Sequence, residues 1–476
     1  MTGGTESGAG TATGNRRLTA EYLDVVRSLG GDVPGRRAAA AFMEASTAVV
    51  HGTVVESSFL PKLFDDVSFR ILQHAAATMY SIMAKVTRRY VDDPSFRELF
   101  RLDARLEELI ALPRGYDAVI PVCRVDVFFD EDAGTVKFCE LNTDGTSGMN
   151  ENREITRSIL PSESLREFAR RHRVEPCELV DSWVRAFAED YRQWAVSHEG
   201  ASAVPAIAIC DYLEKATLSE FEVYRQAFRE AGFSCVICDI RDLRFEGGRL
   251  LDAEGGVVDA VWRRAVTSDV LARWDESRAL LEAATSDAVC LIGSFAGSLT
   301  HDKQVFRVLH DPRAKAILTD EERAFVEATV PFTAFLAADS VDLAAVKASK
   351  DRWVIKPSDL FDATDVFLGC MQDQKTWEAL VDRFADGASG VPFLLQEFVT
   401  PFKTEVLPPD AGILEADEAQ AARVCPQLWN NLSGLYLYNG EFVGVFSRQG
   451  PRPIITGNMT AATLWVDRGE GAFEAS

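Results

Sequence analysis

The most informative shortage in this sequence is of basic residues. The 476-residue chain carries 50 Lys and Arg against 73 Asp and Glu, which gives a formal net charge of −23. Because a nucleic-acid backbone is bound by clustered Lys and Arg, this balance argues against a nucleic-acid partner. It is compatible with a cationic substrate such as a polyamine, although most acidic proteins are simply soluble.

Long apolar segments are also lacking. No apolar run approaches the roughly 20 residues that a membrane-spanning helix needs, so the sequence predicts no membrane partner. The first residues, MTGGTESGAGTATGNRR, are rich in Gly, Thr and Ser and contain no apolar core of a signal peptide. We expect residues 1–16 to form a disordered tail.

Paired cysteines are nearly absent. The nine cysteines are scattered singly except for Cys235 and Cys238, a distribution typical of the reducing cytoplasm. A zinc site would need a second such pair, and a redox motif would begin a helix, whereas these two lie in the apolar stretch FSCVICDI. We interpret them as buried strand residues and expect a cytoplasmic protein.

What the chain does contain is an alternation of helical and strand patterns, which predicts a mixed α/β fold with more than one domain. Residues 17–118 carry apolar side chains at three- and four-residue spacing, and we expect a helical region. A hairpin followed by helices is predicted for residues 119–200. The strand–helix–strand pattern within 201–300 predicts a parallel α/β domain, and helices alternate with short strands in 301–476.

Two runs of alternating apolar and polar residues in 122–142 predict a β-hairpin. A three-residue loop closed by Gly134 would set the register so that residue numbers summing to about 266 face each other. The pairs predicted to share one face are Asp126 with Glu140, Arg124 with Asn142, and Phe128 with Phe138.

The facing carboxylates of Asp126 and Glu140 need an explanation, because like charges about 5 Å apart destabilise a strand pair. One solution is a divalent cation, since carboxylate and amide oxygens suit Mg²⁺, which makes Asp126, Glu140 and Asn142 candidate metal ligands. The other solution is compensation by Arg124 on the same face, without a metal. The sequence leaves both open.

Arg-x-Asp on one strand followed by Glu-x-Asn on the next resembles the metal-binding half of ATP-grasp enzymes, in particular the circularly permuted, glutathionylspermidine synthase-like branch. The implied Mg²⁺ ligands are Asp126, Glu140 and Asn142. The resemblance also implies that Arg124 contacts the transferred phosphate and that Gly145 and Ser147 belong to a loop that holds the carboxylate substrate.

The same resemblance implies a nucleotide-binding half further along the chain, and four segments occur in the expected order: LTHDKQVFRVL, WVIKPSD, FLLQEFV and FVGVFSRQG. In the second, Lys356 ends an apolar strand, a costly place for a charge unless it meets an anion such as a phosphate. The implied ATP contacts are Lys303, Lys356, Gln396 and Glu397. Arg448 is implied to stabilise the transferring phosphoryl group.

Residues 201–300 resemble the pre-ATP-grasp domain of the family. The resemblance makes Glu214 and Glu220, beside the first helix of this region, candidates for recognition of an amine. Arg263 and Arg264 correspond to a strand that faces the substrate. Ordinary surface charge is the alternative for all four side chains.

One segment departs from the family pattern. Relatives follow the Lys-Pro pair with a glycine-rich loop over the phosphates, whereas Asp362, Ala363, Thr364 and Asp365 stand there in this chain. The two negative charges could bind an additional cation or a cationic substrate, or they could repel ATP. The loss of the glycine-rich loop is therefore expected to affect ATP turnover more than the fold.

The resemblance implies an ATP-dependent carboxylate–amine ligase that forms an amide through an acyl phosphate and releases ADP and phosphate. The implied cofactors are ATP and Mg²⁺, and the implied substrates are an amino acid or small peptide carboxylate and an amine. A nucleotide-binding protein without ligase turnover and a polyamine-binding module are the alternatives. The sequence does not indicate the oligomeric state.

Overall fold

The computed structural model describes residues 14–50, 52–360, 364–385, 391–408, 412–455 and 459–469. The strands in these ranges are β1 (Val49–Val50), β2 (Thr53–Val54), β3 (Glu56–Phe64), β4 (Val122–Asp130), β5 (Thr135–Asn142), β6 (Val174–Pro176), β7 (Ala206–Asp211), β8 (Ser234–Asp239), β9 (Arg244–Glu246), β10 (Arg249–Leu251), β11 (Val257–Val258), β12 (Ala260–Arg263), β13 (Cys290–Ile292), β14 (Thr333–Phe335), β15 (Trp353–Pro357), β16 (Phe367–Leu368), β17 (Phe393–Glu397), β18 (Lys403–Val406), β19 (Gln427–Tyr438), β20 (Glu441–Gly450) and β21 (Met459–Val466).

The α-helices in the same ranges are α1 (Gly14–Ser28), α2 (Val33–Glu44), α3 (Asp66–Asp92), α4 (Pro94–Arg97), α5 (Ala104–Ile110), α6 (Met149–Ile159), α7 (Glu163–Phe168), α8 (Asp181–Val196), α9 (Leu218–Glu230), α10 (Thr267–Ala272), α11 (Arg278–Thr285), α12 (Gly297–His301), α13 (Val305–Leu309), α14 (Pro312–Lys315), α15 (Asp320–Thr329), α16 (Leu343–Ala348), α17 (Gln374–Ala385) and α18 (Glu418–Ala421). None of the helices in the described ranges is both long and apolar enough to cross a lipid bilayer.

The largest sheet joins distant parts of the chain in the order β3-β21-β20-β19-β4-β5, with β6 and β18 added at its sides. Strands β19 and β20 form one hairpin and β4 and β5 another, and β4 pairs antiparallel with β19. The predicted hairpin is therefore completed by strands from the far end of the sequence. Residues 124–142 and 430–450 consequently come to share one sheet surface.

The register of the β4–β5 hairpin confirms the two polar pairs and corrects the aromatic one. Asp126 lies opposite Glu140, and Arg124 lies opposite Asn142. The predicted pairing of Phe128 with Phe138 is wrong, because Phe128 faces Lys137 and Phe138 faces Val127. The turn holds four residues instead of three, and a bulge that leaves Cys139 without a partner restores the register.

The N-terminal region is helical as predicted, with two differences. Strand β3 lies within it and pairs in parallel with β21 in the largest sheet. Residues from Ser58 to Phe64 are all buried, so the strand lacks the alternation of polar and apolar residues from which it could have been predicted. Helix α1 begins at Gly14, within the predicted disordered tail, whereas residues 1–13 lie outside the described ranges.

A parallel sheet, β13-β12-β7-β8, confirms the predicted strand–helix–strand unit, with α9 between β7 and β8. Cys235 and Cys238 lie on β8 and are buried, as the sequence indicated. A separate antiparallel sheet, β14-β17-β15-β16, contains the segments WVIKP and FLLQE. This last sheet and the β4–β5 hairpin supply the walls of the candidate active site.

Candidate active site

A cavity of about 160 Å³ lies between the β14-β17-β15-β16 sheet and the surface formed by β5, β19 and β20. Its apolar lining includes Phe128, Val354, Leu368 and Leu432. Its polar lining consists of side chains that the sequence had singled out from segments far apart in the chain: Glu140, Lys303, Lys356, Gln396, Glu397 and Arg448. The tertiary structure thus brings six predicted residues to one cavity.

Lys356 is placed at the cavity by β15, whose neighbouring residue Ile355 is completely buried. The Lys356 Nζ donates a hydrogen bond to the backbone carbonyl oxygen of Cys139 at 3.2 Å. Burial lowers the pKa of Lys356 to about 8. Among the residues that the structure describes, Lys356 forms no salt bridge, so its buried charge still requires an anion.

Lys303 lies in the turn between α12 and α13 and is 7% exposed. Its Nζ donates to the carbonyl oxygen of Leu360 at 2.7 Å and lies 4.0 Å from Oε2 of Glu140. Although burial opposes ionisation of Glu140, the charges of Lys303 and Arg448 hold the pKa of this carboxyl well below its usual range. Glu140 is therefore an ionised carboxylate at the cavity wall.

Asp126 is fully buried, and its carboxylate is surrounded by arginine donors. Arg124 donates from Nε to Asp126 Oδ1 at 2.8 Å and from Nη2 to Oδ2 at 3.2 Å, and Arg448 also donates to Oδ2. The repulsion between Asp126 and Glu140 is thus offset by two arginines. This is the compensation that the sequence left open as the alternative to a metal.

Asn142 lies between the two facing carboxylates. Its Nδ2 donates hydrogen bonds to Asp126 Oδ2 at 3.1 Å and to Glu140 Oε1 at 3.2 Å. Within the described ranges, no group of three or more His, Cys, Asp or Glu side chains is arranged to hold a metal ion. A cation at this position would need the amide oxygen of Asn142 together with carboxylate oxygens, whereas in this structure the amide presents Nδ2 to both carboxylates. Glu140 fits such a site better than Asp126, because the Asp126 oxygens already accept hydrogen bonds from arginine.

The predicted substrate loop contacts the same arginine. Arg124 Nη1 donates to the carbonyl oxygen of Ser147 at 2.7 Å, and the Tyr436 hydroxyl donates to the same oxygen at 2.5 Å. Gly145 has a φ of +63°, and a Cβ atom there would lie 2.9 Å from the carbonyl oxygen of Arg264. A side chain is excluded at this position, so the loop packs directly against the strand β12 segment.

Behind this loop lies a buried acid–base cluster. Arg264 Nη2 is 3.0 Å from Glu220 Oε1, and Glu220 Oε2 accepts hydrogen bonds from the backbone N–H groups of Gly148 and Asn150, at 3.2 Å each. Burial, and then the neighbouring Glu220, raise the pKa of Glu151 to about 8. Sequence reasoning missed Glu151, although it lies within the same polar stretch as Asn142.

The remaining predicted substrate residues are occupied by other protein groups. Arg263 is 2% exposed, and it donates to Asp144 Oδ1 at 2.6 Å and to the carbonyl oxygen of Gly293 at 2.7 Å. Arg263 therefore anchors the start of the substrate loop from below. Glu214 is at the surface, where it pairs with the guanidinium groups of Arg241 and Arg273. The structure does not bring Glu214 to the cavity.

The predicted adenine-binding segment lies at the end of β17. Gln396 donates from Nε2 to the Thr333 hydroxyl at 2.9 Å, whereas the Glu397 side chain is exposed at the cavity edge. The backbone N–H of Glu397 already donates to Phe332, and that of Phe398 donates to Arg352. These two amides consequently stabilise the sheet instead of pointing free into the cavity.

The segment that departs from the family pattern borders the cavity. Asp362 and Ala363 lie outside the described residues. Leu360 and Val366 line the cavity on either side of them, and Asp365 has a φ of +53°. The loop after the Lys-Pro pair is therefore adjacent to Lys303 and Lys356.

The fold is of the mixed α/β class that the sequence predicted. A glutathione synthetase-like effector from Globodera pallida, in its apo form, shares 14% sequence identity and has a TM-score of 0.54, over 92% of this chain and 95% of its own. No protein-family model and no curated protein sequence matches the chain.

Two further solved structures are similar at a lower level. A putative gamma-glutamylcysteine synthetase from Methylobacillus flagellatus has 12% identity and a TM-score of 0.38, over 79% of this chain and 83% of its own. D-cycloserine synthetase DcsG has 22% identity and a TM-score of 0.28, over 41% and 59%. The effector structure carries the conclusion on fold, because the other two superpose too loosely to add to it.

Proposed function

We propose that this protein is an ATP-dependent carboxylate–amine ligase. The observation that carries the proposal is that one cavity is lined by Lys303, Lys356, Glu140 and Arg448 together with apolar side chains. Two buried lysines at one cavity are costly unless an anion with several charges binds between them. The triphosphate of ATP is such an anion.

In this proposal the apolar part of the cavity, which includes Val354 and Leu368, holds the adenine ring. Lys303 and Lys356 hold the phosphates, and the exposed carboxylate of Glu397 lies where it can accept hydrogen bonds from the ribose. Gln396 contributes mainly by fixing β17 against β14, since its amide already donates to Thr333.

Glu140 and Asn142 are the residues that would hold Mg²⁺, with Asp126 as a buried neighbour. A bound Mg²⁺ would offset the negative charge of the phosphates during transfer. The chain itself would supply the remaining charge stabilisation, because Arg448 lines the cavity and shares the Asp126 carboxylate with Arg124. In this proposal both guanidinium groups stabilise the transferred phosphoryl group.

The reaction makes the carboxylate oxygen into a leaving group. The substrate carboxylate attacks the γ-phosphorus of ATP, the bond to the β-phosphate oxygen breaks, and ADP leaves. The amine then attacks the carbonyl carbon of the acyl phosphate, inorganic phosphate leaves, and the amine loses a proton to form the amide. No covalent bond to the protein is needed, so positioning and electrostatics are the contributions of the chain.

In this proposal the substrate carboxylate binds at the loop that contains Gly145 and Ser147, because Arg124, the implied phosphoryl contact, donates a hydrogen bond to this loop. An amino acid or a small peptide suits such a loop. Arg264, whose Nε and Nη1 have no hydrogen-bond partner in the described structure, contributes positive charge behind it. Relatedness to the glutathionylspermidine synthase-like branch remains part of this proposal.

The proposal is tested by ADP and phosphate release across a panel of amino acids, small peptides and amines with Mg·ATP. We expect release to depend on both a carboxylate and an amine. Glu140→Ala and Asn142→Ala should each abolish it, whereas Glu214→Ala, at a surface ion pair, should leave it unchanged. Release that persists in both site variants would exclude the assigned site.

A nucleotide-binding protein without ligation is the second candidate. It is favoured by the acidic residues Asp362 and Asp365 of the loop after Lys356, where the family pattern has glycine, and by the ion pairs that Asp126 already forms with two arginines. This candidate predicts ATP binding by calorimetry without ADP formation for any acid and amine pair.

A further inference from the structure

A second cavity, of about 420 Å³, lies between the chain segment after α4, helix α13 and strand β14. Its charged and polar lining includes Arg101, Arg307, His310 and Ser340. It shares none of its lining residues with the candidate active site. The ligase proposal places no ligand in this cavity, although Thr333 of its lining accepts the hydrogen bond from Gln396.

Two arginines of this cavity share one aromatic ring. The guanidinium carbon of Arg101 lies 4.0 Å from the centroid of the Phe335 ring, and that of Arg307 lies 4.8 Å from the same centroid. The ring attracts both cations, but the two like charges repel each other. Burial, together with the Arg101 charge, lowers the pKa of Arg307.

The acidic residues that line the cavity are ion-paired with another arginine. Asp311 and Glu98 line the cavity, but Asp311 caps α14 and lies 3.4 Å from Arg313, and Glu98 lies 3.6 Å from Arg313. In the described part of the chain, neither Arg101 nor Arg307 forms a salt bridge. An uncompensated arginine pair is unexpected in a protein with a net charge of −23.

Buried nitrogen atoms of two lining residues also lack hydrogen-bond partners. Arg307 anchors its Nη2 to the carbonyl oxygen of Leu99, which leaves the buried Nε without a partner in the described structure. The same holds for Nε2 of His310. Buried polar nitrogens of this kind normally find a hydrogen-bond partner, so a ligand that reached them would recover free energy.

The pocket is preorganised by a buried glutamine. Gln304, which is fully buried, accepts a hydrogen bond at Oε1 from the backbone N–H of Arg101 at 2.8 Å and donates from Nε2 to Asp302 at 2.8 Å. The backbone of Arg101 is thereby held against α13. Little conformational entropy is lost when a ligand binds to groups that are already fixed.

We infer that this cavity, which we call the Arg101–Arg307 pocket, binds a phosphate group. Two guanidinium groups supply forked donors and positive charge, which match the several oxygens and the double charge of a phosphate better than a single carboxylate. Phe332, 47% exposed at the cavity edge, offers an apolar wall for an organic group attached to that phosphate. The inference is independent of the ligase proposal.

The test is calorimetric titration of the full-length chain, at constant ionic strength, with inorganic phosphate and with phenyl phosphate. Arg101→Ala should weaken binding about tenfold or more, because hydrogen bonds to a charged ligand are lost. Arg101 is exposed and its guanidinium lies against the face of the Phe335 ring without a salt bridge in the described part of the chain, so this variant should fold. Arg101→Lys keeps the positive charge but loses the paired N–H donors of the guanidinium group, and it should give an intermediate affinity.

Two controls separate this pocket from other anion sites. Arg383→Ala removes a guanidinium that lies 4.9 Å from the Phe384 ring, outside the pocket, and should bind both probes like the wild type. Lys356→Ala alters the candidate active site and should also retain binding. Tighter binding of phenyl phosphate assigns the pocket to a phosphate ester, and equal binding assigns it to free phosphate. Unchanged affinity in Arg101→Ala, or lost binding in Lys356→Ala, overturns the inference.

Discussion

Arg124 Nε donates a hydrogen bond to Oδ1 of Asp126 at 2.8 Å, so two residues on the same face of β4 form a fully buried ion pair. Arg448, from β20, donates to the second oxygen of the same carboxylate. This three-residue arrangement neutralises Asp126 and leaves Glu140 as the carboxylate that faces the cavity. The two acidic residues of the hairpin therefore have different tasks.

The first prediction separates these tasks. Asp126→Asn removes the anion that Arg124 and Arg448 share, and breaking a buried ion pair from one side costs about 3–5 kcal/mol of unfolding free energy. Glu140→Gln should cost much less stability, because the Glu140 side chain is 27% exposed, yet it should remove the effect of Mg²⁺ on ATP binding. Urea unfolding and calorimetry with and without Mg²⁺ measure both quantities. A larger loss of stability in Glu140→Gln than in Asp126→Asn would contradict the separate roles of the two carboxylates.

The second prediction concerns the glycine opposite Asp126 on β19. A Cβ at Gly434 would lie 2.6 Å from Cδ of Arg124 and 2.9 Å from Oδ1 of Asp126. Gly434→Ala should therefore destabilise the protein by about 1–3 kcal/mol through overpacking and displace the ion pair.

The matched control is Gly450→Ala on β20, where a Cβ would meet no atom closer than 3.9 Å. The control should keep wild-type stability and ATP binding. Equal effects of the two substitutions in urea unfolding would show that the contact with Arg124 does not matter.

The third prediction links ATP binding to a proton. Burial lowers the pKa of Lys356 to about 8, and a bound triphosphate should raise it again, because it favours the charged amine. At pH 8 ATP binding should therefore take up a fraction of a proton, and the uptake should disappear near pH 6, where the amine is already charged. Above pH 8 the affinity for ATP should fall.

Calorimetry in two buffers of different ionisation enthalpy measures this uptake. Lys356→Arg should bind ATP without proton uptake at pH 8, since arginine stays charged at every pH used. Uptake that persists in this variant would assign the proton to another group.

The fourth prediction is a pH-dependent stability that arises from Glu151. Burial and the neighbouring Glu220 raise its pKa from 4.5 to about 8, so the folded chain holds a proton that the unfolded chain releases between these values. The free energy of unfolding should decrease as pH rises through this window, by up to about 1.4 kcal/mol per pH unit, and should level off above pH 8.

Glu151→Gln should remove this contribution to the slope. Burial also raises the pKa of Asp190 to about 8, so this residue contributes to the pH dependence of the unfolding free energy with the same sign. Asp190→Asn is therefore the matched variant. The two substitutions should reduce the slope independently in urea unfolding between pH 5 and 8. A slope unaffected by Glu151→Gln would show that this carboxyl titrates normally.

Local sequence patterns were sufficient for much of the fold. The parallel strands β7, β8 and β12 were predicted because continuous apolar runs with helices between them are typical of a covered parallel sheet. The hairpin and its polar pairs were predicted because side chains alternate along a strand. Strand β3 was missed, since a strand that is buried on both faces shows no alternation.

The site was predictable only in part. Lys356 carries its own signal, a charge at the end of an apolar strand, and Asp126 and Glu140 were placed opposite each other by counting residues along a hairpin. Glu151 had no such signal, because its carboxylate becomes unusual only when Glu220, from another helix, is packed beside it.

The sequence by itself determined that the hairpin presents Asp126 and Glu140 on one face, because strand periodicity and turn chemistry are local. Only the tertiary structure decided what balances their charge. Arg448 reaches Asp126 because β19 and β20 insert beside β4, a contact between residues more than three hundred positions apart. Electrostatic interactions depend on distance in space and not along the chain, so no local sequence pattern could predict the ion pair between Arg448 and Asp126.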